Sequence, residues 1–467
     1  MDGIKPVSTS DPHLLKAQRT NFAPRIGIAY SVDPKTVVRT GFGIFYGGLE
    51  SLGYWPNLGE NYPFQFTGSF PSGSCTAFIC PTDGFTIANG FSAILASGFA
   101  SNTQNLTMRG ADPTPKTPYT QSYNLAVERG ITNDIVATVS YVGNTSRHLQ
   151  VNVDANAPMA LAAPGVSSQN FRPFPHSGGS AYVAYLGSSN YNSLQTKLEK
   201  RMSRGYNLLA TYTWSHSLDD VNTPLGSSGD SGERAFNLIP MSSELSQSPW
   251  DTRQRFTFNT LYELPFGKGR AYLNQSTLVD EIIGGWSANA TFVAQSGNFL
   301  TVHPTGINTA SGGSNTRAVR IGDAFKAGGT SSVGGSCPTS VRNYHNWYNP
   351  CAFTNPWDPT TGAHAIAAGT YVTSTASAIG YLGGRRTVIP GPGYERINMS
   401  VFKSFRTFRE QKLEFRTDIF NLFNTPALGE PSNNGIGTNG GQISGTRSLQ
   451  RYSPDSRFFQ MSLKYAF

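Results

Sequence analysis

The sequence predicts an all-β chain: an antiparallel transmembrane β-barrel wall of about eleven strands with long extracellular loops. Three observations predict it. Apolar and polar residues alternate with period two over stretches of about nine residues or more, against a mode near five or six in soluble sheets. Very short and very long polar segments alternate between those stretches, so that one rim of the sheet is trimmed and the other elaborated. No run approaches the roughly 18 apolar residues that a membrane-spanning helix needs, the best being residues 91–100. That excludes helical membrane proteins but not barrels, whose strands keep overall hydropathy low.

The elements follow in order. Residues 24–31 and 35–46 form a hairpin turning at Val32, Asp33 and Pro34. Residues 119–129 and 134–142 form the next, around 130–133. In 191–200, Leu194, Thr196 and Leu198 oppose Gln195, Lys197 and Glu199. The partner strand 206–214 sets Tyr206, Leu208, Ala210, Tyr212 and Trp214 on one face, and only 201–205 separates the two. Residues 253–263 connect through 264–284, a stretch able to hold a short helix, to 285–302. Residues 394–405 and 411–423 pair across a short turn; in the second, Leu413, Phe415, Thr417 and Ile419 oppose Glu414, Arg416 and Asp418. Residues 457–467 close the chain. The remaining connections, 47–118, 143–190, 217–252, 303–393 and 424–456, are too long for the loops of a compact soluble domain. Tyr30, Tyr46, Tyr141, Trp214, Tyr262 and Trp286 stand near strand ends, where an interfacial aromatic girdle belongs.

Composition bounds the partners. Gly (50) and Pro (29) are abundant in the 467 residues, but aromatics at 12% are too many for a disordered polymer. The net charge of +8 is spread singly, with no run of basic residues that would serve a nucleic-acid arm. Four cysteines form two local pairs, Cys75 with Cys80 and Cys337 with Cys351, in Gly/Ser/Pro-rich stretches. Even number and local spacing suit loop disulfides in an oxidising compartment, and neither pair has the C-x-x-C spacing of a zinc site.

Enzymatic signatures are missing from the sequence. The seven histidines are scattered without H-E-x-x-H spacing, and no G-x-S-x-G elbow is followed by an acid and a histidine. Gly267-Lys-Gly269 lacks the frame of a phosphate loop and reads as a Gly-rich periplasmic turn. Asp219-Asp220 lacks regular calcium-ligand spacing. No catalytic residue, cofactor site or metal site is expected.

The last strand alternates to its end: Phe459, Met461, Leu463, Tyr465 and Phe467 share one face. It resembles the C-terminal assembly signal of bacterial outer-membrane barrels, which implies recognition by the barrel-assembly machinery. Further motifs, in order, resemble the barrel of Oar-like TonB-dependent receptors, a carboxypeptidase-regulatory-like, plug-containing family. They are Asn21-Phe-Ala-Pro-Arg-Ile-Gly-Ile-Ala-Tyr30, Val38-Arg-Thr-Gly-Phe-Gly-Ile-Phe-Tyr46 and Tyr191-Asn-Ser-Leu-Gln-Thr-Lys-Leu198. To these add Thr211-Tyr-Thr-Trp-Ser-His-Ser217, Glu263-Leu-Pro-Phe-Gly-Lys-Gly269 and Phe415-Arg-Thr-Asp-Ile-Phe-Asn-Leu-Phe-Asn424.

The resemblance implies an outer-membrane location in an acidobacteria-like Gram-negative cell and energised uptake of a scarce extracellular ligand: a siderophore, an oligosaccharide or a peptide. It implies contact with outer-membrane lipid, and with the TonB complex only through a plug. Such a family member has a signal peptide, a regulatory-like domain, a plug and twenty-two strands, so 24–467 is expected to be the C-terminal half of the barrel wall, and 1–23 the tail of an upstream extracellular loop. Residues 1–20 carry no signal peptide. An odd strand count does not close as an ordinary bacterial barrel. Two other classes fit the same strands: a structural or adhesive barrel displaying long loops without transport, and a soluble extracellular β-protein.

Overall fold

The computed structural model describes residues 18–48, 108–163, 165–175, 177–221, 238–273, 281–304, 316–406, 411–432, 440–447 and 455–466, with Lys16, Asn61 and Ile436. Eleven strands lie side by side in chain order, every neighbouring pair antiparallel. They are β1 (Arg25–Asp33), β2 (Thr36–Tyr46), β3 (Tyr119–Gly130), β4 (Ile135–Val153), β5 (Ser180–Ser203) and β6 (Tyr206–Asp219). After them come β7 (Gln254–Glu263), β8 (Trp286–Gln295), β9 (Tyr394–Arg406), β10 (Lys412–Phe420) and β11 (Phe458–Ala466). Each strand expected from alternation is present. β1 and β11 are the two ends of the path and, separated by ten antiparallel steps, run in the same direction.

The register aligns one apolar face across the sheet. Ile28, Thr40, Leu125, Tyr141, Leu194 and Trp214 form one continuous cross-strand row. On β11, Phe459, Met461, Leu463 and Tyr465 lie opposite Ile419, Thr417, Phe415 and Leu413. The other face is polar: Asp418, Arg416 and Glu414 face Gln460, Ser462 and Lys464. Its charges pair locally, Arg39 with Glu128 at 3.0 Å and Arg416 with Asp418 at 2.9 Å. Large apolar side chains such as Ile26, Leu125, Val139, Leu198 and Met461 are exposed, which water would not tolerate over so wide a face and lipid would.

Short turns at one rim are built by local chemistry. Asp33 accepts from the Lys35 amide, and Arg204 and Gly205 both take positive φ (53° and 75°), as a two-residue hairpin requires. At the 130–134 turn, Lys200 and Thr132 donate to Asp134 at 3.1 and 2.6 Å, and Ser203 donates to the same carboxylate.

Three differences from the alternation pattern have physical causes. β4 and β5 extend eleven residues past the expected ends at Val142 and Tyr191, to Val153 and back to Ser180. Stretch 143–148 has no large apolar side chain on either face, as a strand standing above the bilayer would, and a bulge at His148 (φ 55°) shifts its register. β8 stops at Gln295, where Gly297 passes so close to Gly391 that a Cβ would lie 2.1 Å from its carbonyl oxygen. β10 ends at Phe420 because Asn421 turns to φ 50° and donates through its side chain to the carbonyls of Thr425 and Asp455. In the 264–284 connection the described residues 281–283 are helical.

Candidate functional site

The buried apolar core lies not in the sheet but above its long-loop rim. One cluster joins Val302, Ala318, Ala324, Tyr348, Ala352, Phe353, Ile389 and Ile436 from two connections. A second joins Leu161 and Ala163 to Ile239 and to Ile366, Ala378 and Leu382, so three connections share it. A third, Val151, Val153, Ala184 and Val221, caps the overgrown ends of β4 and β5. Connections that read as loops therefore fold together into a cap.

Small pairings frame that cap. Leu161–Ala162 pairs with Tyr371–Val372, Phe299–Leu300 with Ile389–Pro390, and Val319–Arg320 with Phe353–Thr354. Helix α1 (Thr375–Leu382) buries Ser377, Ala378 and Leu382 and ends at Gly383, whose φ of 88° suits only glycine. Cys337 and Cys351 form a disulfide that closes a 14-residue separation beside the short helix at Pro350–Ala352.

Buried charges tie the connections to one another. Arg386 is fully buried and donates to both the carbonyl (2.5 Å) and the carboxylate (2.6 Å) of Asp219 at the end of β6. The Arg386 carbonyl accepts from Ser246 at 2.7 Å. Arg317 pairs with Glu244 at 2.7 Å, both side chains at most 2% exposed. Arg396 pairs with Asp455, which also accepts from the Ala427 amide and so pins the last long connection to β9. Isolated, any of these ions would be costly; paired and multiply bonded, they fix which segments meet. Asp220 accepts from the amide and hydroxyl of Ser188, each at 2.6 Å, and burial pushes its carboxyl above the usual range. Burial likewise raises Asp251 and the Tyr348 phenol.

Aromatic side chains mark the outer surface of the cap. Phe171 meets Tyr371 at 4.6 Å between centroids, and Tyr344 meets His345 at 4.0 Å. Tyr371 (55%) and Tyr344 (57%) stay largely exposed, as does Trp250. Exposed rings on a rigid support offer stacking surfaces for a sugar or peptide.

The residues singled out in the sequence are distributed as follows. Phe459, Met461, Leu463 and Tyr465 stand exposed on the apolar face of the edge strand β11; Phe467 lies outside the described residues, as do Cys75 and Cys80. Asp219 and Asp220 are held by Arg386 and Ser188. Gly267 and Gly269 take positive φ in the short-rim turn. Among the described residues no three His, Cys, Asp or Glu side chains gather as metal ligands. The latch residues Glu244, Arg317 and Arg386 carry no sequence signal: each sits in an irregular connection with no periodicity or motif to mark it.

An outer membrane beta-barrel domain model matches residues 3–460, nearly the whole chain. The chain belongs to that family. No match is found among curated proteins. Among solved structures, this outer-membrane barrel is similar to the outer membrane transporter YddB from Escherichia coli, with 8% identity and a TM-score of 0.42 over 92% of this chain and 38% of that one. It is also similar to the siderophore receptor PiuA from Acinetobacter baumannii, with 9% identity and a TM-score of 0.38 over 94% of this chain and 35% of that one. A third similarity is to the ferripyoverdine receptor of the Pseudomonas aeruginosa outer membrane, with 8% identity and a TM-score of 0.40 over 95% and 32%. The barrel thus spans about a third of the length of these proteins.

Proposed function

We propose that this outer-membrane barrel is the C-terminal wall and extracellular cap of an Oar-like TonB-dependent receptor that captures a scarce ligand outside the cell. The observation that carries the reading is the cap itself: connections far apart in sequence share buried cores and buried ion pairs and present exposed rings outward. Energised coupling would run through TonB and a plug lying outside residues 1–467. The ordered series of motifs from Asn21 to Asn424 supports the family, and the split into short and long rims supports the orientation.

Two details support the division at residue 24. Gln18 accepts from the amide and hydroxyl of Thr117 at 2.9 and 2.8 Å, and Asn21 donates to Thr117 at 2.9 Å. The segment before β1 therefore runs beside the connection that enters β3, at the long-loop rim, as the tail of an upstream extracellular loop should. The exposed row Phe459, Met461, Leu463 and Tyr465, on a strand that is the edge of the sheet among the described residues, supports its reading as the assembly signal. Of the candidate ligands, oligosaccharides and peptides suit exposed aromatics in Gly/Ser-rich surroundings better than anionic siderophores do.

The test is capture and uptake by cells producing the receptor together with its upstream coding sequence. Deleting residues 304–392 is expected to abolish ligand capture, and a protonophore to abolish uptake while sparing capture. Capture that survives the deletion overturns the reading. Capture with no energy-dependent uptake in the intact receptor leaves a display barrel instead.

A further inference from the structure

One connection at the short-turn rim is not short. Residues 264–284 join β7 to β8, and the helical turn at 281–283 stands just before β8 begins. Two side chains of the wall hold that turn. The Trp286 indole nitrogen donates to the Ile282 carbonyl at 2.9 Å, and the Lys403 ammonium donates to the Glu281 carbonyl at 2.5 Å. Both carbonyls lie at a helix end, where backbone acceptors lack partners of their own and a cation is favoured. Gly285, at φ 70°, then swings the chain into β8.

The register shows on which side of the wall this happens. Trp286, Lys403, Phe415 and Leu463 form one cross-strand row over β8, β9, β10 and β11. Phe415 and Leu463 belong to the apolar face, and Arg416 and Asp418 to the other. The helical turn therefore leans on the outer surface of the wall and not beneath its polar interior. Lys403 is the odd member of that row. Against acyl chains its ammonium would be costly. It is instead only 4% exposed, bonded to the Glu281 carbonyl and set 4.8 Å from the centre of the Phe405 ring. Ile282 and Ile283, by contrast, are 73% and 44% exposed. The row lies three residues in from the strand ends at Lys412 and Ala466, about 10 Å of strand. That depth brings the two isoleucines to the boundary between headgroups and acyl chains.

We propose that residues 281–283 are an interfacial foot, which inserts Ile282 and Ile283 into the phospholipid leaflet at the short-turn rim and is fastened to the wall by Trp286 and Lys403. The occupant is lipid because the exposed isoleucines stand on the side of the wall that Phe415 and Leu463 present to the membrane; a soluble partner would need them below the rim. The foot shelters the one cation of its row and adds apolar area outside the strands. The inference depends on that face meeting lipid and not on which ligand the cap captures or whether uptake is energised.

The full-length protein is reconstituted in vesicles of phosphatidylethanolamine and phosphatidylglycerol with a nitroxide on Ile282→Cys or Ile283→Cys, and its collisions with oxygen and with a water-soluble nickel chelate are compared by electron paramagnetic resonance. Met461→Cys on the wall and Lys268→Cys in the exposed turn are the lipid and water references, and wild type is the labelling blank for the native cysteines. Labels at 282 and 283 are expected to favour oxygen, as at 461, and to lose most of the chelate collision seen at 268. In protein that keeps its heat-modifiable gel mobility, adding Trp286→Phe and Lys403→Met is expected to raise chelate collision at 282 and leave 461 unchanged. Chelate exposure at 282 and 283 equal to that at 268, or no change at 282 once both donors are gone, would overturn the proposal.

Discussion

The ring of Tyr123 on β3 lies across the bare backbone of Gly143 on β4 and hydrogen-bonds beyond it to β5. A Cβ at Gly143 would sit 2.3 Å from the Tyr123 ring, whose hydroxyl donates to Asn192 at 3.0 Å. Tyr141 donates to the same Asn192 oxygen at 2.8 Å. Gly143 is thus the socket that lets one side chain join three strands. Gly143→Ala should force the ring away and cost about 1–3 kcal/mol. Tyr123→Phe, which loses only one hydrogen bond, should cost about 1 kcal/mol. Heat-modifiable mobility in gels would rank the two, and a milder effect for Gly143→Ala than for Tyr123→Phe would contradict the socket.

The Arg386 latch predicts a large effect from a residue far from any strand. Arg386→Ala leaves Asp219 buried without its partner and should destabilise the cap by about 3–5 kcal/mol. Proteolysis should then cut within 238–252 and 316–393 while the wall fragments stay intact. Simultaneous loosening of the wall would mean that the cap and wall are not separable.

Reduction offers a gentler version of the same experiment. The Cys337–Cys351 bridge spans 14 residues of sequence, for which the chain-entropy argument gives ~3 kcal/mol. Cys351→Ser, or wild type under reductant, should show faster hydrogen exchange around 338–350 and unchanged exchange in β9 and β10. Identical exchange before and after reduction would show that packing alone holds this segment.

At the opposite rim, hydrogen bonds from Ser203, then Thr132, then Lys200 hold the Asp134 carboxyl well below its ordinary value of 3.8. A carboxyl lowered by folding stabilises the fold above the unfolded value, and that stabilisation fades as pH falls below it. Amide protection at this turn should therefore be flat from about pH 8 to pH 4 and decline only in stronger acid. Asp134→Asn should lower protection at neutral pH and flatten the acid decline. A wild-type decline beginning near pH 6 would assign the linkage to another group.

The wall was legible from sequence because lipid on one side and a polar interior on the other impose period two. Leu413 to Ile419 against Glu414 to Asp418 is enough to set a strand and its faces. The upper halves of β4 and β5 leave no such trace, since 143–148 is polar on both faces and Val151, Val153 and Ala184 are covered by the cap and not by lipid. The cap was illegible for a different reason. Ser246 and Arg386 meet across 140 residues, and no local pattern in either segment announces the other. The spacing of Cys337 and Cys351 was the cap's one visible contact, because a disulfide is read from residue type rather than period.

Arg317 and Arg386 come from one connection; Glu244 and Ser246 come from another, and each contact is inaccessible to water. Neither segment can lift without stripping an ion of its partner in a dry setting. The cap therefore responds to force as a plate and not as a set of fingers. Whatever displaces the stretch carrying Glu244 carries the stretch with Arg386 along with it, and through Asp219 it pulls on the end of β6 as well.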